Sequence, residues 1–299
     1  MRGMLILKHA LITMGLVTPA VLGVEARANE VVAFGVSTFD QCSGESVPEL
    51  LTLTSTLRDQ FTAWQNDGLW DKVTRHSNAS VDKIDWADAS KVSNAADGAD
   101  PAGADHADVA FLATHGARVT NENGRAYSRF VMGDGWAGPG TAWEDCRVFT
   151  DRDVSWGNTG GDLEIVIAFA CQSVDFGVWT STKRYFPMVT TNGAFSTYLG
   201  FHGVTYASAA NVAALGDFLA QSLNDGIGDN WLDFMYDPRN QNDDSQCPTV
   251  ITFGASTEQR KSMFQFGGFS DRKNTGLNTG ATFHYVSGCD PAHSDALPS

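Results

Sequence analysis

Apolar residues along the chain form short continuous runs that alternate with segments of helical periodicity. Runs of this length bounded by polar or glycine-rich stretches are typical of strands buried on both faces, which occur in parallel sheets. The runs predict strands at Val31–Val36, Val109–Ala113, Leu163–Ala170, Phe195–Phe201, Thr249–Phe253 and Thr282–Val286. A mostly parallel sheet is therefore expected.

Helices are predicted between these strands. Pro48–Trp64 places apolar residues at steps of three and four, and Val212–Leu223 does the same before Gly226, a candidate position just after a helix end. Two further helices are expected, one from about Ser173 and one holding Trp231, Phe234 and Met235. Residues 77–108 read as a long loop with a short strand at 84–86, and residues 133–161 as a surface excursion.

Strands that alternate with helices indicate an α/β fold with both faces of the sheet covered. The chain shows no internal repeat and no Pro/Ser-rich linker, so residues 29–299 are predicted to form a single α/β domain. Residues 1–28 read as a signal peptide: a basic start, an apolar stretch at Leu11–Gly23 and the small-x-small sequence Ala26-Arg27-Ala28. We therefore expect export to the periplasm or the extracellular space, with no membrane insertion after cleavage.

The formal net charge is −15, and no basic cluster interrupts it. Phosphate contacts dominate nucleic-acid affinity, so this balance argues against a nucleic-acid partner. It also argues against binding to anionic membrane surfaces.

Five cysteines occur in the chain, and an exported protein meets an oxidising compartment. Cys42, Cys146, Cys247 and Cys289 lie in polar, loop-like surroundings, whereas Cys171 follows a long apolar run. We expect Cys171 to be free and the other four to form up to two disulfides, with the pairing open. Pairing of Cys171 with another cysteine is the alternative.

Two of the predicted strands end at reactive side chains. The segment 108–116, DVAFLATHG, ends at His115-Gly116, and the segment 163–173, LEIVIAFACQS, breaks at Cys171. In a parallel sheet both ends emerge at the same edge, so these side chains are expected to face each other. An imidazole beside a cysteine can take the thiol proton, and a glycine lets backbone N–H groups approach a developing oxyanion.

These two blocks resemble the caspase-like cysteine peptidases of clan CD, which include caspases, legumain, gingipains and clostripain. In caspases the histidine precedes the cysteine by about 50 residues, the order and range found here. The resemblance implies His115 as general base and acid, Cys171 as nucleophile, and the backbone N–H groups of Gly116 and Cys171 as oxyanion donors. It also implies a caspase/hemoglobinase-like three-layer sandwich with a mostly parallel sheet, and a peptide or protein substrate.

A wider likeness, to a bacterial family of exported caspase-like domains without established activity, includes Trp156-Gly157, Ala170-Cys171, the segment 199–203 (LGFHG), the segment 216–219 (GDFL) and Trp231. The sequence departs from caspases around the nucleophile, where Phe169-Ala170-Cys171-Gln172-Ser173 stands in place of Gln-Ala-Cys-x-Gly. No specificity-pocket arginines are evident, so a caspase-type preference for aspartate is not expected.

Other residues have rival interpretations. His202 also ends a strand before a glycine, so it is a candidate cleft residue or base, or else a structural histidine; Asp175 is a candidate cleft carboxylate that would favour basic substrates. Asp97, Asp100 and Asp105 are candidate Ca²⁺ ligands in an oxygen-rich loop, although the run has no EF-hand spacing. No cofactor is otherwise expected.

Two functions from different classes follow. The first is a cysteine hydrolase that acts through an acyl-thioester, and the second is a caspase-fold protein that binds a peptide or partner without turnover. An exposed Cys171 thiol of lowered pKa, within hydrogen-bonding reach of His115, would favour the first.

Overall fold

A seven-stranded sheet organises the computed structural model of the protein. The structure describes residues 29–39, 42, 44–92, 95, 103–133, 146–150, 152–157, 163–182, 195–224, 226–236, 246–270 and 278–299. The strand order is β10-β9-β8-β7-β3-β1-β2. Five adjacent strands, β8, β7, β3, β1 and β2, are parallel to one another, and β9 runs antiparallel to both of its neighbours. The strands are β1 (Glu30–Gly35), β2 (Lys72–Ser77), β3 (Val109–Ala113), β7 (Ile165–Phe169), β8 (Thr197–His202), β9 (Cys247–Gly254) and β10 (Gly280–Tyr285).

Five α-helices lie among the described residues: α1 (Glu49–Asn66), α2 (Phe176–Thr182), α3 (Ala209–Gln221), α4 (Ile227–Met235) and α5 (Thr257–Phe266). Helix α1 buries Leu50, Leu53, Leu57, Phe61 and Trp64, the apolar positions that predicted it. It contacts β1, β2 and β3, while α4 and α5 contact β9. The prediction of an α/β fold with a mostly parallel sheet is confirmed.

A second sheet follows β3 directly and was not predicted. It is antiparallel and comprises β4 (Gly116–Thr120), β5 (Ala126–Val131) and β6 (Arg147–Phe149). All three residues of β6 are buried, so the interpretation of residues 133–161 as a surface excursion is wrong at this strand. Strand β2, with every residue half-buried, was also missed.

Two local predictions are corrected. Gly226 has a φ of 67° and is the N-cap of α4, because α3 ends earlier, with Ser222 as its C-cap. Its left-handed conformation turns the chain between two helices, which a glycine does without steric cost. The segment predicted as a short strand at 84–86 instead contains a 3₁₀ turn over Lys83–Asp85, capped by the Asp82 carboxylate on the Ile84 N–H.

The cysteine allocation is confirmed. Disulfides join Cys42 to Cys146 and Cys247 to Cys289, and Cys171 is free. Two disulfides are compatible with an exported protein. None of the helices in the described ranges combines the length and hydropathy needed to span a bilayer.

Strand β10 carries a histidine whose titration should be visible in the stability of the fold. His284 stacks on Phe264 with ring centroids 3.9 Å apart, and burial, with the charges of Arg260 and Lys261, lowers its pKa to about 4. A pKa below the unfolded value of about 6.5 favours the folded state above that pH. We expect the free energy of unfolding to fall by about 2 kcal/mol as the pH drops from 6.5 to 4. Urea unfolding at both pH values tests this, and His284→Phe should flatten the difference.

Candidate active site

Strands β3 and β7 are adjacent and parallel, and their register brings His115 and Cys171 to one edge of the sheet. Ala113 pairs with Phe169, and each reactive residue lies two positions beyond its strand's member of that pair. The Thr114 N–H donates to the Phe169 carbonyl at 3.2 Å and extends the ladder by one rung. His115 and Cys171 both line a cavity of about 400 Å³ at this edge.

Gly116 lies directly against the backbone of Cys171. A Cβ at this position would be 2.2 Å from the Cys171 carbonyl oxygen and 3.1 Å from the Cys171 nitrogen. No side chain fits such a gap, so the glycine lets the start of β4 pack onto the cysteine turn. This contact puts Gly116 and Cys171 side by side.

Gly116→Ala should therefore displace the Cys171 turn. We expect a loss of about 2 kcal/mol in the free energy of unfolding, typical of overpacking against backbone. Gly216→Ala is the matched control, because its Cβ would meet only Thr56 Cγ2 at 3.9 Å and alanine favours a helix. Urea unfolding of both variants checks this; equal stabilities would contradict the tight contact.

The His115 ring is held by two groups from the loop before α1. Its Nε2 lies 2.7 Å from the Glu45 carbonyl oxygen, and its ring packs on Phe39 with centroids 4.7 Å apart. A carbonyl only accepts hydrogen bonds, so Nε2 carries the proton and Nδ1 is the nitrogen left to act as a base. The Cys42–Cys146 disulfide fixes this loop three residues before Glu45.

The Cys171 thiol is partly exposed and contacts the loop after β8. Its sulfur lies 3.5 Å from both the N–H and the carbonyl oxygen of Thr205. Burial raises the pKa of the thiol, and the hydrogen bonds from the backbone of Thr205 and Cys171 only partly offset that effect. The hydrogen bonds among the described residues include none between His115 and this thiol. The lowered pKa expected of an active cysteine is therefore not found.

Gln172, directly after the nucleophile candidate, has a left-handed backbone with a φ of 53°. Its surroundings hold this uncommon conformation. Its N–H donates to the Gly203 carbonyl at 2.6 Å, its Oε1 accepts from the Arg118 N–H at 2.7 Å, and its Nε2 donates to the His293 carbonyl at 3.1 Å. Non-glycine residues in this region cost free energy and cluster at functional sites. The turn that presents Cys171 is thus fixed from three sides.

Asp175 and His202 form a buried network beneath this turn and are not among the residues that line the cavity. His202 Nδ1 lies 3.0 Å from Asp175 Oδ2, and His202 Nε2 lies 2.6 Å from the Asp295 carbonyl. Arg118 and Ser294 also belong to the network. A guanidinium nitrogen of Arg118 lies 3.1 Å from Asp175 Oδ1, and the Ser294 hydroxyl donates to Asp175 Oδ2 at 3.0 Å. The structure thus places both residues as internal supports of the Cys171 turn.

The Asp175 carboxyl is ionised at neutral pH despite being fully buried. Burial by itself raises its pKa, but the hydrogen bond and charge of His202, the charge of Arg118 and the Ser294 hydroxyl lower it to about 2. The backbone N–H groups of Gly177 and Val178 also donate to Oδ1. A carboxylate so fully bonded is a structural anchor at the start of α2.

The C-terminal segment 289–297 crosses the base of the site. It supplies the His293 and Asp295 carbonyls and the Ser294 hydroxyl described above, and the Cys247–Cys289 disulfide joins its start to β9. Leu297 is buried beside this disulfide. Residues 289–297 are therefore part of the scaffold that positions Cys171.

The Ca²⁺ candidates are only partly described. Asp97 and Asp100 lie outside the described residues. Asp105 is fully buried, and its Oδ1 accepts from the Gly157 N–H at 2.5 Å. The described residues contain no group of three or more histidine, cysteine or acidic side chains arranged to hold a metal ion.

Sequence reasoning missed several residues that build the site, notably Phe39, Glu45, Arg118, Gln172 and Thr205. These residues belong to the site through their backbone groups and through contacts between distant parts of the chain, and neither leaves a signal in the sequence.

Comparison of the chain with models of protein families and with curated proteins gives no match.

Proposed function

We propose that the protein is an exported cysteine hydrolase, a peptidase in which His115 and Cys171 form the catalytic dyad. The carrying observation is the β3–β7 register, which brings a histidine and the free cysteine to one cavity from two adjacent parallel strand ends. The carboxyl edge of a parallel sheet is where α/β proteins place their chemistry. The mostly parallel sheet and the five helices of the described residues are compatible with the three-layer sandwich of the caspase-like peptidases.

The dyad would work in two steps. Cys171 Sγ attacks the peptide carbonyl carbon while His115 Nδ1 takes the thiol proton, and the carbonyl oxygen becomes an oxyanion beside the N–H groups of Gly116 and Cys171. The C–N bond then breaks as His115 gives that proton to the leaving amine, which leaves a thioester. Water attacks the thioester, His115 takes a proton from the water, and the C–S bond breaks as the proton returns to sulfur.

The raised pKa of Cys171 sets the order of these events. A thiol that is neutral at rest must lose its proton as the new bond forms, so His115 acts when substrate occupies the cavity. Catalytic hydrogen bonds are often long or absent in free enzymes and form in the complex with substrate. The hydrogen bond from Nε2 to the Glu45 carbonyl supports this role, because it places the proton of the neutral ring on Nε2 and leaves Nδ1 as the basic nitrogen.

The second candidate function is peptide binding without turnover. The raised thiol pKa favours it, as does the hydrogen bonding of Cys171 to Thr205 rather than to His115. In this alternative Cys171 is one wall of a recognition cavity and His115 a structural ring packed on Phe39.

Peptide turnover separates the two functions. The mature protein is incubated with a randomised peptide library, and new termini are mapped by mass spectrometry for the wild type and Cys171→Ala. The proposal predicts cleavage by the wild type and none by the variant. Cleavage by both proteins would assign the activity to another site or to a contaminant; enrichment of uncleaved peptides by both would establish the binding function.

A further inference from the structure

The cavity beside Cys171 is walled mainly by hydrocarbon. Val47 contributes from the loop before α1, Leu50 from the first turn of α1, Phe169 from the end of β7 and Ala207 from the loop after β8. Phe169 is itself fixed by an edge-to-face contact with Phe201, with ring centroids 5.0 Å apart. The cavity has a volume of about 400 Å³, which lies in the range of small-ligand pockets and leaves room for a leucine, methionine or phenylalanine side chain.

The two threonine hydroxyl groups in the lining have partners within the protein. Thr114 Oγ1 donates to the Val131 carbonyl, and Thr205 Oγ1 lies 2.7 Å from Gln246 Oε1. A hydroxyl that is already bonded gives a substrate little polar recognition. The remaining surface favours burial of apolar groups.

The charges on the lining exclude acidic side chains. No lysine or arginine occurs among the described residues of the wall, and the Glu45 carboxylate lies at the exposed rim. A substrate carboxylate would be desolvated here without a lysine or arginine to balance its charge. A substrate cation would meet only the exposed Glu45, and exposed ion pairs contribute little, whereas burial of a leucine or phenylalanine side chain contributes more.

The loop that closes the cavity is held from behind by one buried amide. Gln246 Oε1 accepts from the Asn211 side chain at 2.9 Å, and Gln246 Nε2 donates to the Met235 carbonyl at 2.9 Å. Gln246 Oε1 also accepts a hydrogen bond from the Tyr206 N–H at 3.3 Å. This network fixes Thr205 and Tyr206 before any ligand arrives, so this part of the wall is preformed.

We propose that this cavity binds the substrate side chain that precedes the scissile bond, and that it selects an uncharged apolar residue of leucine to phenylalanine size. The proposal rests on the proposed function, because it needs the scissile carbonyl at Cys171. The cavity adjoins the sulfur, so the residue that donates this carbonyl is the one whose side chain enters. Cleavage after leucine, methionine or phenylalanine is the predicted specificity.

Peptidyl acyloxymethyl ketones test the preference without requiring turnover. The cysteine sulfur displaces the acyloxy group of such a probe, which leaves as a carboxylate, and a stable thioether forms. Four probes that differ only in the last residue, leucine, phenylalanine, lysine or aspartate, are compared by rate of mass gain at Cys171. The leucine and phenylalanine probes should react at least about tenfold faster than the other two, from the free energy of burying a large apolar side chain.

Two variants test the walls. Ala207→Phe should slow the leucine and phenylalanine probes about tenfold but not a fifth probe that ends in alanine. Ala210→Phe, at an exposed position of α3, should leave the rates of all these probes unchanged. Val47→Arg should raise the rate of the aspartate probe. Fastest reaction of the lysine or aspartate probe with the wild type, or rates independent of the last residue, would overturn the pocket proposal alone. Failure of every probe to label Cys171, while denatured protein reacts with iodoacetamide, would overturn the proposed function as well.

Discussion

Replacing His115 by alanine should lower kcat for peptide cleavage at least about a thousandfold, the usual cost of losing the base of a nucleophile–base pair. The physical reason is the raised pKa of the Cys171 thiol, which burial causes: in the proposed dyad the sulfur would attack only when Nδ1 removes the proton. The rate of cleavage by purified wild type and variant at pH 7 measures the effect.

His106→Gln is the control, because this half-exposed histidine contacts Glu30 at 3.5 Å, on a 3₁₀ turn before β3. Its turnover should match that of the wild type. Urea unfolding of His115→Ala should show a folded protein, since the ring lies at the cavity and not in the core. Retained activity in a folded His115→Ala protein would contradict the dyad.

Asp175→Asn should cost about 3 kcal/mol of the free energy of unfolding and also impair activity. The asparagine keeps the shape but removes the charge that balances Arg118, and it turns an NH₂ group towards donors such as the Ser294 hydroxyl. Because the carboxylate supports the Cys171 turn from below, displacement should reach the site. Urea unfolding and peptide turnover measure the two effects.

Asp59→Asn is the matched control, because Asp59 is mostly exposed and pairs with Arg58 on the surface of α1, where an ion pair is worth little. The pH dependence gives an independent check. The folded pKa of Asp175, about 2, is below its ordinary value of 3.8, so its contribution is complete above about pH 4 and is lost as the pH falls towards 2. An Asp175→Asn variant as stable as Asp59→Asn would refute the anchoring role.

Continuous apolar runs predicted the central strands because strands buried on both faces need them. Val109–Ala113 was predicted to the residue, and β7 lies within its predicted range. Strand β2 was not predicted because its residues, Lys72–Ser77, are all half-buried and form neither an apolar run nor a clear apolar face. Strand β5 did carry a signal, since Ala126, Ser128 and Phe130 are buried in alternation, but its serine and arginine masked it.

The residues of the site also fall into two groups, those that the sequence predicts and those that it does not. His115 and Cys171 could be predicted as neighbours because parallel strands align their carboxyl ends. The supports of the site could not, since Asp175 and Ser294 are 119 positions apart, and the Glu45 contribution is a carbonyl that every residue type possesses. Burial raises the pKa of Cys171 and the Thr205 backbone partly offsets it, and local sequence specifies neither effect.

The most direct test of the dyad compares two reagents on the same sulfur. Cys171 is labelled with iodoacetamide or with pooled peptidyl acyloxymethyl ketones at pH 7, in the wild type and in His115→Ala, and the rates are followed by intact mass and peptide mapping. We expect slow alkylation by iodoacetamide, because the resting thiol is neutral, and labelling by the peptidyl pool at least about a hundredfold faster. That advantage should disappear in His115→Ala. A peptidyl rate no faster than that of iodoacetamide, or one indifferent to His115, would contradict the dyad and leave the cavity as a binding site.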